Sequence, residues 1–368
     1  MPSIVVTIIS FILIIGLVIF IHEFGHFIVA KKNNVGVVEF SIGFGPKIFS
    51  WVKNGTRYSV KWIPFGGYCM MLGDESMMPD GSGDDIVNDE EKAFSKKPLL
   101  VRAAVILAGP VFNFLLALLF AFLLAAFVGT TTSEVGGIAK GYPAEEAGLK
   151  KGDIITKLDH TSVHMFKDIT LYMTMHEGEE ISVTYKRNGE KLVTTLVPKY
   201  SEEDGRYLIG INATERRKLN VGEVFEYGWY DFAYNTGVVI KSLGMLFTGK
   251  ASLNDLSGPV GMAGVVNEIV EDVKQDTEGE SFFTRLYYLL MNLMSFTLLI
   301  SANLGIMNLL PIPGLDGGKL LLFLVEGISG KPLNKKAEMI VTLIGVGLLI
   351  LLMVVVFFND IRKVFFHV

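Results

Sequence analysis

Four long apolar stretches constrain this chain more than any other feature of its sequence. They lie at roughly Ser3 to Ala30, Leu99 to Val128, Ser281 to Leu310, and Met339 to Phe358. Each stretch is long enough for a helix of about 20 residues, the length that crosses a bilayer. Half of the 368 residues are hydrophobic, and the mean hydropathy is +0.44. We therefore predict a multi-pass α-helical membrane protein with four transmembrane helices.

The first apolar stretch ends on a polar motif, Ile21-His22-Glu23-Phe24-Gly25-His26, and the residues from Ile4 to Ile21 carry no charge. In a helix, His22 and His26 lie on one face about one turn apart. Two imidazoles at that spacing can share one Zn²⁺, and Glu23 can reach the water that such a metal activates. The alternative is a pair of packed histidines. Ionisable groups at membrane depth are costly, which favours a functional site.

Composition excludes several other classes of function. The net charge of −5, without a basic run that interleaves aromatic residues, argues against nucleic-acid binding. A single cysteine, Cys69, excludes an internal disulfide and a cysteine-based structural zinc site. The N-terminal stretch has no preceding positive charge and no small-residue cleavage site, so we expect it to be a retained span rather than a signal peptide.

Basic residues near the ends of the stretches predict the orientation of the chain. Three clusters fall on one side of a four-span topology: Lys31 and Lys32; Lys96, Lys97 and Arg102; Lys331, Lys335 and Lys336. Because basic loops stay in the cytoplasm, we predict that the N-terminus lies outside. Arg362 and Lys363 point the other way and are outnumbered.

The segments between the stretches contain β-structure signals. Trp51 to Trp62 alternates around Asn54-Gly55, which predicts a β-hairpin, whereas the Met-, Gly- and Asp-rich residues 70–89 predict a mobile loop. Thr130 to Asn212 reads as a small β-rich domain on the outer side. Glu223 to Leu246 is apolar but interrupted by charges, so we expect it to be interfacial.

We divide the chain into four parts on this basis. These are an N-terminal membrane half, a small outer domain, an outer amphipathic linker and a C-terminal membrane half, at residues 1–128, 129–213, 214–284 and 285–368.

A zinc ion held by two histidines needs a third protein ligand. The candidate is Asp316, which follows Pro311, Pro313 and Gly314 at the end of the third apolar stretch. The predicted topology brings Asp316 to the same side and depth as His22, and broken helices at membrane depth line cavities. The alternative is a Pro/Gly turn whose aspartate caps the next helix.

Taken together, these motifs resemble the site-2 proteases, and more closely the bacterial regulator-of-sigma-E protease branch. The paired metal motifs are His-Glu-Phe-Gly-His at 22–26 and Leu-Asp-Gly at 315–317, and the likeness extends over nearly the whole chain. It includes Gly43-Phe44-Gly45-Pro46, Gly109-Pro110-Val111-Phe112-Asn113 and Ser257-Gly258-Pro259-Val260-Gly261.

The outer segment is similar to a PDZ domain through Gly141-Tyr142-Pro143-Ala144 and the glycines that follow. The resemblance implies a single inserted PDZ-like α+β domain. Its peptide-carboxylate loop would contain Leu208, Ile209, Gly210 and Ile211, although a plain terminal strand explains those residues equally well.

The resemblance implies an intramembrane zinc metalloprotease with one Zn²⁺ per chain. His22, His26 and Asp316 would hold the metal, and Glu23 would be the general base. The substrate would be a pre-trimmed single-pass membrane protein, such as an anti-sigma factor, or a remnant signal peptide. The enzyme would lie in a bacterial cytoplasmic membrane, with its PDZ-like domain outside and its active site toward the cytoplasm.

Further residues are candidates for binding the substrate backbone. The resemblance assigns this role to Asn303 and Asn308, although both can instead satisfy backbone groups near Pro311. The hairpin residues Tyr58 and Val60 would offer a strand edge to an unwound substrate. Two rival functions are a non-catalytic PDZ scaffold and a zinc transporter. The intact His22–Glu23–His26 motif disfavours the first, and the absence of an internal repeat disfavours the second.

Overall fold

A computed structural model describes residues 3–74, 90–249, 252, 256–331 and 335–366. Most of the predicted mobile loop, residues 75–89, lies outside the described residues. The chain forms two compact units, one made of Met1–Phe120 and Asn235–Val368 and the other of Ala121–Tyr234. The four-part division made from the sequence stays a prediction.

Long helices dominate the described part of the chain. They are α1 (Ser3–Lys32), α2 (Leu99–Phe127), α5 (Val221–Phe247), α6 (Pro259–Asp276), α7 (Phe282–Leu309), α8 (Asp316–Ser329) and α9 (Lys335–Phe366). Four are long and apolar enough to cross a membrane: α1, α2, α7 and the Glu338–Lys363 part of α9. These helices coincide with the four apolar stretches of the sequence. Helix α5, where we expected an interfacial segment, is continuous and is not one of these four.

Helices α1 and α2 approach closely because small residues lie where they cross. A Cβ atom on Gly25 would lie 2.4 Å from the carbonyl oxygen of Ala108, so only glycine allows this spacing. Helix α6 packs on the N-terminal half of α1, where Val266 is buried against Phe11 and Ile14. In the first unit, α2 therefore lies against the polar motif of α1, and α6 lies against the N-terminal half of the same helix.

Two long strands, β1 (Val37–Lys53) and β2 (Thr56–Met71), turn at Asn54 and Gly55, whose φ angles are 50° and 69°. Positive φ at both central residues is typical of a type I′ hairpin turn. Each strand bends and pairs in two places, which makes four segments in the order 47–53, 56–61, 37–42 and 67–71. Strand β1 bends at Gly43 and Gly45, both with positive φ.

The curled sheet packs its apolar face on α1. The Phe40 ring lies 5.1 Å from the ring of Phe27 and 5.9 Å from that of Phe20. Cys69 and Met71 are buried in the same cluster. This packing fixes segment 67–71 beside the polar end of α1, because a Cβ on Gly67 would lie 3.5 Å from Cγ of Glu23.

The second unit contains short strands and two short helices. The strands are β3 (Val135–Ile138), β4 (Ile154–Leu158), β5 (Thr161–Ser162), β6 (Ile181–Arg187), β7 (Glu190–Leu196), β8 (Lys199–Ser201), β9 (Arg206–Leu208) and β10 (Ile211–Ala213); the helices are α3 (Pro143–Glu146) and α4 (Phe166–Met175). Strands β5, β4, β6 and β7 form an antiparallel sheet, β3 pairs with β10, and β8 pairs with β9. Fully buried Ile155, Leu158, Ile181 and Val183 contribute to its core.

Candidate active site

Helix α1 places His22 and His26 on one buried face. His22 is only 8% exposed and His26 only 5% exposed, and their ring centroids lie 4.8 Å apart. The two Nε2 atoms are 3.2 Å apart. The four-residue spacing in a continuous helix therefore produces the arrangement that the sequence predicts, with two imidazoles converging on one point.

A broken segment between α7 and α8 brings Asp316 to the same point. Gly314 has a φ of +98°, and a Cβ on Gly317 would lie 2.3 Å from the carbonyl oxygens of Leu309 and Leu310. Only residues without a side chain fit this tight reversal. Helix α9 supports it from behind, because a Cβ on Gly345 would lie 1.9 Å from the carbonyl oxygen of Pro313.

The three side chains present one ligand atom each to a common centre. Oδ2 of Asp316 lies 3.1 Å from Nε2 of His22 and 3.4 Å from Nε2 of His26. Tetrahedral zinc with bonds of about 2.0 Å requires ligand atoms about 3.3 Å apart. Oδ2 is buried and has no hydrogen-bond partner among the described residues, although both rings are close. The donor set, the spacing and the orphaned oxygen all fit a zinc ion.

Helix α2 forms the wall behind the two histidines. Nδ1 of His26 lies 2.8 Å from the carbonyl oxygen of Val105. When Nε2 carries no proton and is free to bind a metal, Nδ1–H donates a hydrogen bond to this carbonyl. A Cβ on Gly109 would lie only 2.3 Å from Nε2 of His26, so glycine leaves the space that the imidazoles occupy. In the sequence, the motif around Gly109 contributes only to the family resemblance, whereas this contact shows that its glycine makes room for the metal ligands.

A cavity opens in front of the ligand atoms, and Glu23 lines it together with Asn308. Sequence reasoning missed several of its other lining residues, namely Ile19, Met71, Asp74, Ile106 and Lys319. Nζ of Lys319 lies 2.9 Å from Oδ2 of Asp74. Lys319 follows Asp316 by three residues on a helix, and that spacing was the available signal for its position.

Other predicted site residues lie elsewhere. Asn303 is exposed and does not line the cavity. Tyr58 and Val60 lie on segment 56–61, which pairs with 47–53 on one side and with 39–42 on the other. The free strand edge expected at Tyr58 and Val60 is therefore wrong, because both of their neighbouring positions are already filled. Leu208, Ile209, Gly210 and Ile211 belong to the second unit.

Comparison with known proteins decides the family. A family model described as peptidase family M50 matches residues 10–352. The chain belongs to peptidase family M50. The resemblance to site-2 proteases is thereby confirmed.

Relatives of this M50 chain match it almost from end to end. The "Putative zinc metalloprotease CA_C1796" of Clostridium acetobutylicum is 38% identical over 359 residues, which cover 98% of this chain and 97% of the relative. "Zinc metalloprotease RasP" of Shouchella clausii and "Regulator of sigma-W protease RasP" of Bacillus subtilis are each 31% identical over 433 residues, covering 98% of this chain and 99% of theirs. This M50 protein is thus a metalloprotease, its cofactor is Zn²⁺, and it is a membrane protein.

Two solved structures were also matched over a small part of the chain. A PDZ domain of an SdrC-like protein from Listeria monocytogenes is 21% identical and covers 22% of this chain and 85% of its own, with a TM-score of 0.21. The corresponding domain from Listeria innocua is 22% identical and covers 24% of this chain and 99% of its own, also with a TM-score of 0.21.

Proposed function

We propose that this M50 metalloprotease hydrolyses a peptide bond within or near the transmembrane helix of a pre-trimmed membrane protein. The observation that carries the proposal is the convergence of His22, His26 and Asp316 between helices that are long and apolar enough to span a bilayer. We assign these three residues as the zinc ligands. A metal site between such helices lies at membrane depth, and this position favours a substrate that is itself inside the membrane.

Each residue of the site then has a chemical role. Zinc, when bound, supplies Lewis-acid activation of the attacking water and the scissile carbonyl. Glu23 lines the cavity beside the ligands, and its carboxylate takes the proton of that water and delivers it to the leaving amine. Asn308 also lines the cavity, which supports the role we propose for its amide, a hydrogen bond to the substrate backbone.

The substrate segment would be bound as an added strand. Segment 67–71 pairs with 37–42 on one side, and its other side has no strand partner among the described residues. In this segment, Gly67 lies beside Glu23 and Met71 lines the catalytic cavity. An unwound substrate can pair its backbone with such an edge, which replaces the edge first expected at Tyr58 and Val60.

The membrane arrangement follows from charge. Lys31 and Lys32 end α1, and Arg102 lies in the first turn of α2, so we place these ends on the cytoplasmic side of a bacterial inner membrane. The active site then faces the cytoplasmic side, and residues 129–213 lie outside. The Bacillus subtilis relative, whose name describes a regulator of sigma-W, supports a membrane-bound regulatory substrate such as an anti-sigma factor. A remnant signal peptide is the alternative substrate, because it too is an apolar segment within the membrane.

Residues 129–213 would act as a PDZ-like filter or peptide-binding domain. A groove in the second unit lies between α4 and β9–β10 and is lined by Phe166, Met173, Leu208, Gly210 and Ile211, among others. Ile209 itself is 3% exposed, and its carbonyl accepts a hydrogen bond from the amide of Ala144. Ile209 therefore lines the groove and also belongs to the core of the second unit.

The test uses a variant that lacks the general base but keeps the zinc ligands. Glu23→Gln should bind zinc with wild-type stoichiometry but accumulate uncleaved membrane fragments, which quantitative proteomics of the membrane fraction would identify. Glu278→Gln is the matched control, since Glu278 is exposed and does not line the cavity. Equal fragment patterns in the two variants would refute the proposal. Retention of zinc by a His22→Ala variant would refute the ligand assignment separately.

A further inference from the structure

Asn113 is a completely buried amide directly behind the metal ligands. The residue is 0% exposed, and its Nδ2 lies 3.1 Å from Nδ1 of His22. Its Oδ1 is buried without a hydrogen-bond partner among the described residues. Its backbone carbonyl accepts a hydrogen bond of 2.8 Å from the hydroxyl of Ser301 on α7. Asn113 therefore lies at a junction of three helices.

This contact conflicts with metal binding if the amide nitrogen faces the ring. A neutral imidazole carries one proton, and an amide N–H can donate to Nδ1 of His22 only if that proton is on Nε2. Nε2, however, is the atom that faces Asp316 and His26 and must be bare to bind a metal. The observed distance is compatible with zinc only in the opposite hydrogen-bond direction.

Rotating the amide by 180° reverses that direction at no cost in shape. The oxygen and nitrogen of an asparagine amide are nearly the same size, and their assignment follows from the hydrogen bonds available. After rotation, Nδ1–H of His22 donates to Oδ1 of Asn113, and Nε2 of His22 is bare. The oxygen that lacked a donor now has one, and the amide nitrogen takes its former position.

We propose that Asn113 is a positioning residue that fixes the tautomer and the ring orientation of His22. This inference rests on the proposed role of His22 as a zinc ligand. The carbonyl of Val105 does the same for His26, at 2.8 Å. Val105, Gly109 and Asn113 are spaced by four residues, so one face of α2 both orients the two imidazoles and leaves room for them.

The measurement is zinc affinity of the full-length protein in detergent, by competition with a chelator of known affinity. Removing an outer partner of a metal ligand typically weakens binding about 10- to 100-fold. We expect Asn113→Leu to lose affinity by that factor. We expect Asn113→Asp to keep it, because a carboxylate oxygen also accepts from Nδ1–H. Asn113→Ala serves as a second variant if leucine prevents folding.

Two controls separate this effect from general destabilisation. Asn267→Leu removes another amide of the first unit, whose Oδ1 accepts a 3.1 Å hydrogen bond from Thr7, and should leave zinc affinity unchanged. His22→Ala should abolish tight binding. The visible spectrum of the Co²⁺-substituted protein should change for Asn113→Leu but not for Asn267→Leu, which reports ligand geometry independently of activity.

The possible outcomes are distinguishable. Wild-type zinc affinity in folded Asn113→Leu or Asn113→Ala overturns the positioning role. Equal losses in Asn113→Asp and Asn113→Leu overturn it too, because packing rather than the acceptor would then matter. Tight zinc binding by His22→Ala contradicts the proposed ligand set instead, whatever the Asn113 variants do.

Discussion

Gly109→Ala is a minimal change that sets local helix preference against the geometry of the metal centre. In the interior of a helix, alanine is more favourable than glycine by about 1 kcal/mol. Helix propensity alone therefore predicts a slightly more stable α2. The structure predicts the opposite for function, because the added methyl group points at both imidazoles.

The size of the conflict follows from the contact distances. The new Cβ would lie 2.3 Å from Nε2 and 2.5 Å from Cε1 of His26, and 2.8 Å from Cε1 of His22, whereas ordinary contacts begin at 3.4 Å. The closest contact is short by 1.1 Å, the difference between 3.4 and 2.3 Å. Metal–ligand distances tolerate about 0.2 Å, and a displacement of about 1 Å in an active site costs about 100-fold in rate.

We therefore expect Gly109→Ala to lose at least about 100-fold in cleavage rate and to bind zinc substoichiometrically. The assay compares zinc per chain by metal analysis with the cleavage of a transmembrane peptide in nanodiscs. Gly16→Ala is the matched control, because a Cβ on Gly16 in α1 meets nothing within 4 Å. Full zinc content and unchanged turnover in Gly109→Ala would show that α2 does not confine the histidines as described.

Two further predictions address the support of Asp316 and the second unit. Gly345→Leu should displace the broken segment through Pro313 and lower the zinc content per chain. Gly347→Leu is the control and should keep its zinc, because the space around its Cβ is open. Equal zinc contents in the two variants would show that α9 does not support the segment that contains Asp316. Burial by itself would raise the pKa of Asp153, but the two 2.7 Å hydrogen bonds from Arg187 lower it below the usual value of about 4. The ion pair should therefore contribute its full stabilisation of the second unit above about pH 4, and this contribution should disappear as the pH falls through the lowered pKa of Asp153. The measurement is the amide hydrogen exchange of β6 as a function of pH, corrected for intrinsic rates. Protection should decrease in this pH range in the wild type but not in Asp153→Asn. The same decrease in both proteins would exclude the ion pair as its cause.

Local sequence signals predicted the local structure well. The apolar stretches appear as α1, α2, α7 and α9, and Asn54-Gly55 forms the predicted turn. Asn188-Gly189 likewise turns with positive φ between β6 and β7. These features depend on hydrophobic length and on backbone conformations of a few adjacent residues, so the sequence carries them directly.

Local sequence signals did not predict which strand segments pair with one another in the sheet. The alternation around Asn54-Gly55 predicts two strands, yet bends at Gly43 and Gly45 bring segment 37–42 back to pair with 56–61. Tyr58 and Val60 consequently lie inside the sheet, and the free edge is at 67–71. Which neighbour a strand finds is decided by the packing of Phe40 and Cys69 on α1, a contact between distant parts of the chain.

The same division holds for the metal centre. The sequence by itself determined that His22 and His26 share one helical face, because that spacing is a property of the helix. It also marked Asp316 as the candidate third ligand. Only the tertiary structure placed its carboxylate at 3.1 Å from His22, opened the space at Gly109, and set Asn113 behind the ring. Those positions depend on how closely three helices approach, and that distance is decided by atoms from separate stretches fitting against one another.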